Sequence, residues 1–180
     1  MTTYIGLLRA INLPAHNKIA MAELKRLLAS LGMHDPKTWL LSGNVVFGSN
    51  AQPPAKLEGV LEAATAKRLG VTTDYFVRTA KEWQALIAAN PFPAAAKSDP
   101  SHLLVMCLKD APKPAAVKAL QAAIAGRELV NAMGPNAYFV YPDGIGRSRL
   151  TTALIEKMLQ TRGTARNWNT VLKLASIATA

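Results

Sequence analysis

Apolar positions along the chain switch between two periods. Residues 3–11 are apolar on both faces, with Ile5, Leu7 and Ile11 on one and Tyr4, Leu8 and Ala10 on the other. That is the pattern of a central strand covered on each side. Met21, Leu24, Leu27, Leu28 and Leu31 then fall on one helical stripe that stops at Gly32. Residues 37–41 and 45–47 read as two strands around Ser42-Gly43-Asn44, where glycine and asparagine supply the positive φ angles of a tight hairpin. A helix opens at Pro53-Pro54, carries Leu57, Val60, Leu61 and Leu69 on its apolar side and ends at Gly70. A strand over 73–78 follows. Thr79 and Glu82 then form a capping box for a helix that reaches about Asn90.

Pro91, Pro93 and Pro100 bracket an alanine-rich connector, after which the pattern starts again. Residues 102–108 are apolar on both faces, Pro112 opens a helix closed by Gly126, and 128–132 and 137–141 flank the turn Gly134-Pro135-Asn136. Helices are expected from about Ser148 to Gln160 and from Asn167 to about Ile177. Strand, helix, strand, strand, helix thus occurs twice, with no convincing identity between the copies. The fold class is α+β: two ferredoxin-like βαββα-type units in tandem, antiparallel sheets with helices. The first unit spans residues 1–90, the connector 91–101, and the second unit, with an extra C-terminal helix, 102–180. First strands apolar on both faces predict that Ile5, Leu7, Leu103 and Val105 are covered, with the two units packing through those faces.

Composition narrows the classes. Half of the 180 residues are hydrophobic and 18% are charged, as in an ordinary globular protein. The longest apolar runs fall far short of the roughly 18 residues of a membrane helix, and the first twelve residues lack a signal peptide's basic start, so a cytoplasmic protein with no membrane partner is expected. Cys107, the single cysteine, lies in an apolar run and reads as a buried structural thiol. The net charge of +10 invites a polyanion. It is spread along the chain, with a local excess in 144–173, where Arg147, Arg149, Lys157, Arg162, Arg166 and Lys173 face Glu156 alone.

Several segments together resemble a known family. Residues 4–12 (Tyr4-Ile5-Gly6-Leu7-Leu8-Arg9-Ala10-Ile11-Asn12), Met21-Ala22-Glu23-Leu24, Ser42-Gly43-Asn44-Val45-Val46-Phe47, Val77-Arg78-Thr79 and Asn90-Pro91-Phe92 are similar to successive signatures of the bacterial domain-of-unknown-function family 1697. Gly146-Arg147-Ser148-Arg149-Leu150 and the run from Thr164 to Leu174 resemble its ending. The chain departs from the family pattern at Ala10, at residues 13–16 and at Leu41. The resemblance implies an α+β fold with ferredoxin-like parts and no established activity.

Two stretches carry candidate binding chemistry. In Thr164-Ala165-Arg166-Asn167-Trp168-Asn169, Asn167 is placed as an N-cap, Trp168 points to the core, and Arg166 and Asn169 stand where a helix start gathers an anion. Gly144-Ile145-Gly146-Arg147-Ser148-Arg149 repeats the design, with Ser148 as N-cap and two arginines opening a helix; it lacks the lysine and glycine spacing of a nucleotide-binding loop. Arg147, Arg149 and Arg166 are expected to form a trident for phosphate or carboxylate. Arg9, Asn12, Ser42 and Asn44 are secondary candidates. With the first and third strands taken as parallel, Arg9 and Asn12 fall at the opposite end of the sheet from Ser42 and Asn44.

Catalytic and metal chemistry find no constellation: His16, His34 and His102 stand far apart, without cysteines or paired carboxylates, and no cofactor or metal is indicated. The RNA-recognition mode of ferredoxin-like modules needs strand aromatics, and only Phe47 and Tyr4 are offered. The expected function is therefore binding of an anionic ligand by the C-terminal arginines, nucleic acid first. A small phosphorylated or carboxylated metabolite is the alternative, and a protein-partner or structural role the third.

Overall fold

The computed structural model describes residues 1–14 and 16–180; Ala15, within the loop that departs from the family pattern, lies outside the described residues. The chain divides into two compact units, Met1–Ala85 together with Lys173–Ala180, and Leu86–Leu172.

The first unit runs β1 (Thr2–Leu8), α1 (Met21–Ser30), β2 (His34–Trp39), β3 (Asn44–Ser49), α2 (Pro54–Leu69), β4 (Tyr75–Thr79), and enters α3 (Ala80–Ala88). Its sheet has the order β2-β3-β1-β4 with every neighbour antiparallel, the ferredoxin-like arrangement. Tyr4, Leu8, Val45, Phe47, Tyr75 and Val77 build the core face beneath Leu24 and Leu28 of α1 and Leu57 and Leu61 of α2. Helix boundaries follow the chain's punctuation. Gly32 and Gly70 take φ of +79° and +68° past the ends of α1 and α2, and the Thr79–Glu82 capping box forms in both directions at 2.7 and 3.1 Å.

The second unit runs α4 (Pro93–Ser98), β5 (Leu103–Leu108), α5 (Pro114–Ala123), β6 (Leu129–Met133), β7 (Asn136–Val140), α6 (Thr152–Leu159), β8 (Gly163–Asn167), and enters α7 (Trp168–Thr179). Its sheet order, β6-β7-β5-β8, repeats the first. Met106, Leu108, Phe139 and Val130 pack beneath Val117 and Leu120 of α5 and Ile155 and Leu159 of α6. Ile5, Leu7, Leu103 and Val105, on the faces turned away from these cores, are all buried.

Three expectations need correction. Residues 163–167, read as the approach to a helix, form β8, antiparallel to β5 with Arg166 opposite Val105. The second unit is therefore a complete βαββαβ unit. Helix α6 starts at Thr152, capped by the Thr151 hydroxyl accepting from Leu154 N at 3.3 Å; Ile145–Arg147 is a separate 3-10 turn. Lastly, β1 and β3 are antiparallel, with Leu7 opposite Asn44. In a split βαβ the third strand lies between the two parallel ones and runs against both, so Asn12 and the 40–43 turn meet at one end of the sheet.

Candidate functional site

That meeting is a network of backbone satisfaction. Asn12 donates from Nδ2 to the carbonyls of Ile19 (3.0 Å) and Leu41 (2.7 Å) and accepts from Ile19 N at 2.8 Å, at a φ of 53° that asparagine tolerates better than most side chains. Buried Asn44 donates to Trp39 O (2.8 Å) and to the Ser42 hydroxyl (3.1 Å). Arg9 lies 3.6 Å from the Asp74 carboxylate. The amides of Asn12 and Asn44 are spent on loop carbonyls, which fixes the loop.

The C-terminal candidates separate. Asn167 closes β8 and caps α7, its Oδ1 accepting from Thr170 N at 3.0 Å. Trp168 is buried, and Asn169 is exposed on the first turn of α7. Arg166 stands on the strand itself, where burial lowers its pKa to about 10, still protonated at neutral pH. It donates to the Thr164 hydroxyl at 2.9 Å and to the Ala165 carbonyl at 2.8 Å. The trident of Arg147, Arg149 and Arg166 is thus not assembled at two helix starts: Arg166 is a strand residue, and Arg147 and Arg149 precede α6.

Arg147, Ser148 and Arg149 do come together, around a cavity of about 650 Å³. Two connections border this half-open groove: residues 124–128 between α5 and β6, and residues 141–151 between β7 and α6. Leu120, Ile124, Leu150 and Leu154 give it an apolar wall. Two polar links tie the connections to each other. Arg127 grips the Asp143 carboxylate through both Nε, at 3.1 Å, and a terminal nitrogen. The Ser148 hydroxyl donates to Glu128 while accepting from Leu150 N at 3.0 Å. The end of the Glu128 side chain packs over Gly126, where a Cβ would have to displace its carboxylate.

The charges around the cavity are in definite states. The Arg127 guanidinium holds Asp143 below the ordinary carboxylate range, and the Ser148 hydroxyl lowers Glu128 likewise. Both are carboxylates at neutral pH. Arg147 and Arg149 are exposed, and among the described residues neither guanidinium is engaged in a hydrogen bond or ion pair. Arg147 adds to Arg127 in favouring the ionised Asp143 through space, and both exposed cations stand beside an apolar wall.

Three of the participants, Arg127, Glu128 and Asp143, escaped the sequence reading, although a signal existed. The β6–β7 hairpin sets Leu129 opposite Val140, so residues just before β6 and just after β7 must be neighbours. His102 likewise has an unforeseen carboxylate partner: its Nδ1 lies 2.6 Å from Asp99 Oδ2, while Asp99 accepts from Ser101 at 2.8 Å. The two hydrogen bonds, Ser101's first, hold Asp99 below its ordinary pKa. Among the described residues no cluster of three histidine, cysteine or acidic side chains is arranged to hold a metal ion, and no helix is long and apolar enough to cross a membrane.

The conserved bacterial protein SP0830 from Streptococcus pneumoniae has a similar structure, with a TM-score of 0.77 over 98% of both chains at 22% identity. At that identity the likeness speaks for the fold alone. Curated proteins offer no match. The model of the family described as "Protein of unknown function (DUF1697)" matches residues 1–138, from the start of the first unit into β7 of the second. The chain belongs to the DUF1697 family.

Proposed function

We propose that this protein binds a small anionic ligand in the cavity between α5 and the 141–151 connection. Arg147 and Arg149 take the anion, and Leu120, Ile124 and Leu154 take its apolar body. One observation carries this reading: two exposed guanidiniums, neither of them in a hydrogen bond or a direct ion pair among the described residues, line a cavity of about 650 Å³, within the range of small-molecule sites. The links Arg127–Asp143 and Ser148–Glu128 hold the walls in place before a ligand arrives, which limits the ordering cost of binding.

Isothermal titration calorimetry with isocaproate, a branched aliphatic carboxylate, tests the proposal. Binding by the native protein should weaken about tenfold, or about 1.4 kcal/mol, for each of Arg147→Gln and Arg149→Gln. Unchanged affinity in the double variant would remove the cavity from consideration. Nucleic acid is the second reading, favoured by the net charge of +10. It predicts affinity for labelled single- or double-stranded DNA that falls steeply with salt and collapses in the same double variant. The cavity reading predicts weak DNA binding in which the two substitutions matter no more than other lost surface charges.

A further inference from the structure

The two acidic side chains lining the cavity are not equivalent. Asp143 is neutralised by a two-pronged contact with Arg127. Glu128 is ionised as well, but the Ser148 hydroxyl that holds it is uncharged. Arg147 and Arg149 line the same cavity, yet no ion pair joins either of them to Glu128 among the described residues. Arg147 also helps to hold Asp143 ionised through space, but neither Arg147 nor Arg149 pairs directly with Glu128, so the cavity presents an uncompensated carboxylate and two guanidiniums with an apolar wall beside them. A ligand that is only anionic meets the two arginines and is repelled by Glu128. A ligand carrying an ammonium group as well turns that repulsion into attraction. Glu128 has the capacity, since a carboxylate offers about four lone-pair sites, of which the serine hydroxyl and its own backbone N–H occupy two.

Resting on the reading of the cavity as an anion site, we infer that its ligand is a small zwitterion with an apolar body, a free amino acid or a short peptide. Arg147 and Arg149 take the carboxylate, Glu128 takes the ammonium, and the aliphatic side chain lies against Leu120, Ile124 and Leu154. Ser148 is a positioning residue. By holding the Glu128 carboxylate it keeps the negative charge at one wall, and Gly126 leaves the space this position requires.

Calorimetry on the full chain with four probes tests the inference. Leucine carries both charges, isocaproate lacks the ammonium, leucinamide lacks the carboxylate, and leucyl-leucine carries both charges farther apart. Leucine or leucyl-leucine should bind at least tenfold more tightly than isocaproate and leucinamide, the tighter of the two assigning the cavity to free amino acids or to short peptides. Glu128→Gln keeps an acceptor for Ser148 and removes the charge. It should bring the preferred zwitterion down to the level of isocaproate while leaving isocaproate binding as strong or stronger. Isocaproate matching both zwitterions in the native protein would overturn the inference and leave the anion site standing. Failure of all four probes to bind would overturn both.

Discussion

Laid side by side by strand register, the two sheets use the same layer in opposite ways. Gly6 at the middle of β1 lies between Val45 and Val77, whereas Met106 at the middle of β5 lies between Ala137 and Ala165. One unit places its bulk on the flanking strands, the other on the central strand. A Cβ on Gly6 would come within 2.9 Å of Val45 Cγ2, so the exchange is enforced by packing. Around this layer the register matches identical residues: Leu8 with Leu108, Asn44 with Asn136, Phe47 with Phe139 and Arg78 with Arg166. Both arginines donate at 2.8 Å to the carbonyl of the preceding residue, and each is followed by a capping residue, Thr79 or Asn167, that starts a helix. The units conserve the summed volume of a layer while exchanging which strand supplies it.

The comparison can be broken by mutation. Phe47→Ala and Phe139→Ala, at equivalent buried positions, should each cost about 3–5 kcal/mol in chemical denaturation; a loss below about 1 kcal/mol for either would mean that the layers are not equivalent. Gly6→Ala should cost about 1–3 kcal/mol by overpacking against Val45. Adding Val45→Ala, which moves the first unit toward the second unit's solution, should recover part of that loss, and additive losses would deny the volume exchange. The matched asparagines sharpen the contrast, because Asn44 bonds to Trp39 and Ser42, whereas Asn136 Oδ1 receives no hydrogen bond among the described residues. Asn44→Ala should cost about 1–3 kcal/mol, and Asn136→Ala clearly less.

The smallest effect separates on a pH axis. Burial raises Tyr75 in the first unit, and Tyr138 and Tyr141 in the second, to about 12. A raised tyrosine pKa means that the unfolded chain releases its proton first. Stability is therefore full below pH 10 and falls as pH rises toward 12. Tyrosinate absorbance should show three groups titrating together with alkaline unfolding; three normal titrations in the folded protein would contradict their burial.

Most of the fold was legible because it depends on local chemistry: two-faced apolar strands at 3–11 and 102–108, glycine stops after α1 and α2, and the Thr79–Glu82 box. β8 was missed because Gly163-Thr164-Ala165-Arg166 has small or polar side chains, its place in the sheet being set by β5 rather than by its own apolar period. The repeat of the element pattern is legible, but the exchange of volumes blurs residue identity between the copies, since Gly6 and Met106 share no side-chain property. At the candidate site, the sequence points to Arg147, Ser148 and Arg149 as the opening of a helix, and that placement does not hold. They line a cavity between two connections and do not open a helix. Of the other polar residues lining the cavity, Arg127 and Glu128 lie at least 19 positions away in sequence, and the β6–β7 pairing brings them near. Residues 50–53 join β3 to α2 directly where the longer residues 141–151 join β7 to α6, so the connection that borders the cavity has no equivalent at this place among the described residues of the first unit. The candidate chemistry thus belongs to the connections in which the units differ.

The most direct test is a titration of the isotope-labelled protein with isocaproate and leucine, followed through backbone amide chemical shifts. Binding in the cavity predicts saturable shifts confined to residues 124–128 and 143–150 and absent in the Arg147→Gln/Arg149→Gln variant. Shifts centred elsewhere, on residues 10–19 and 40–44 for example, or none at all at millimolar probe, would contradict the assignment of the cavity as the binding site.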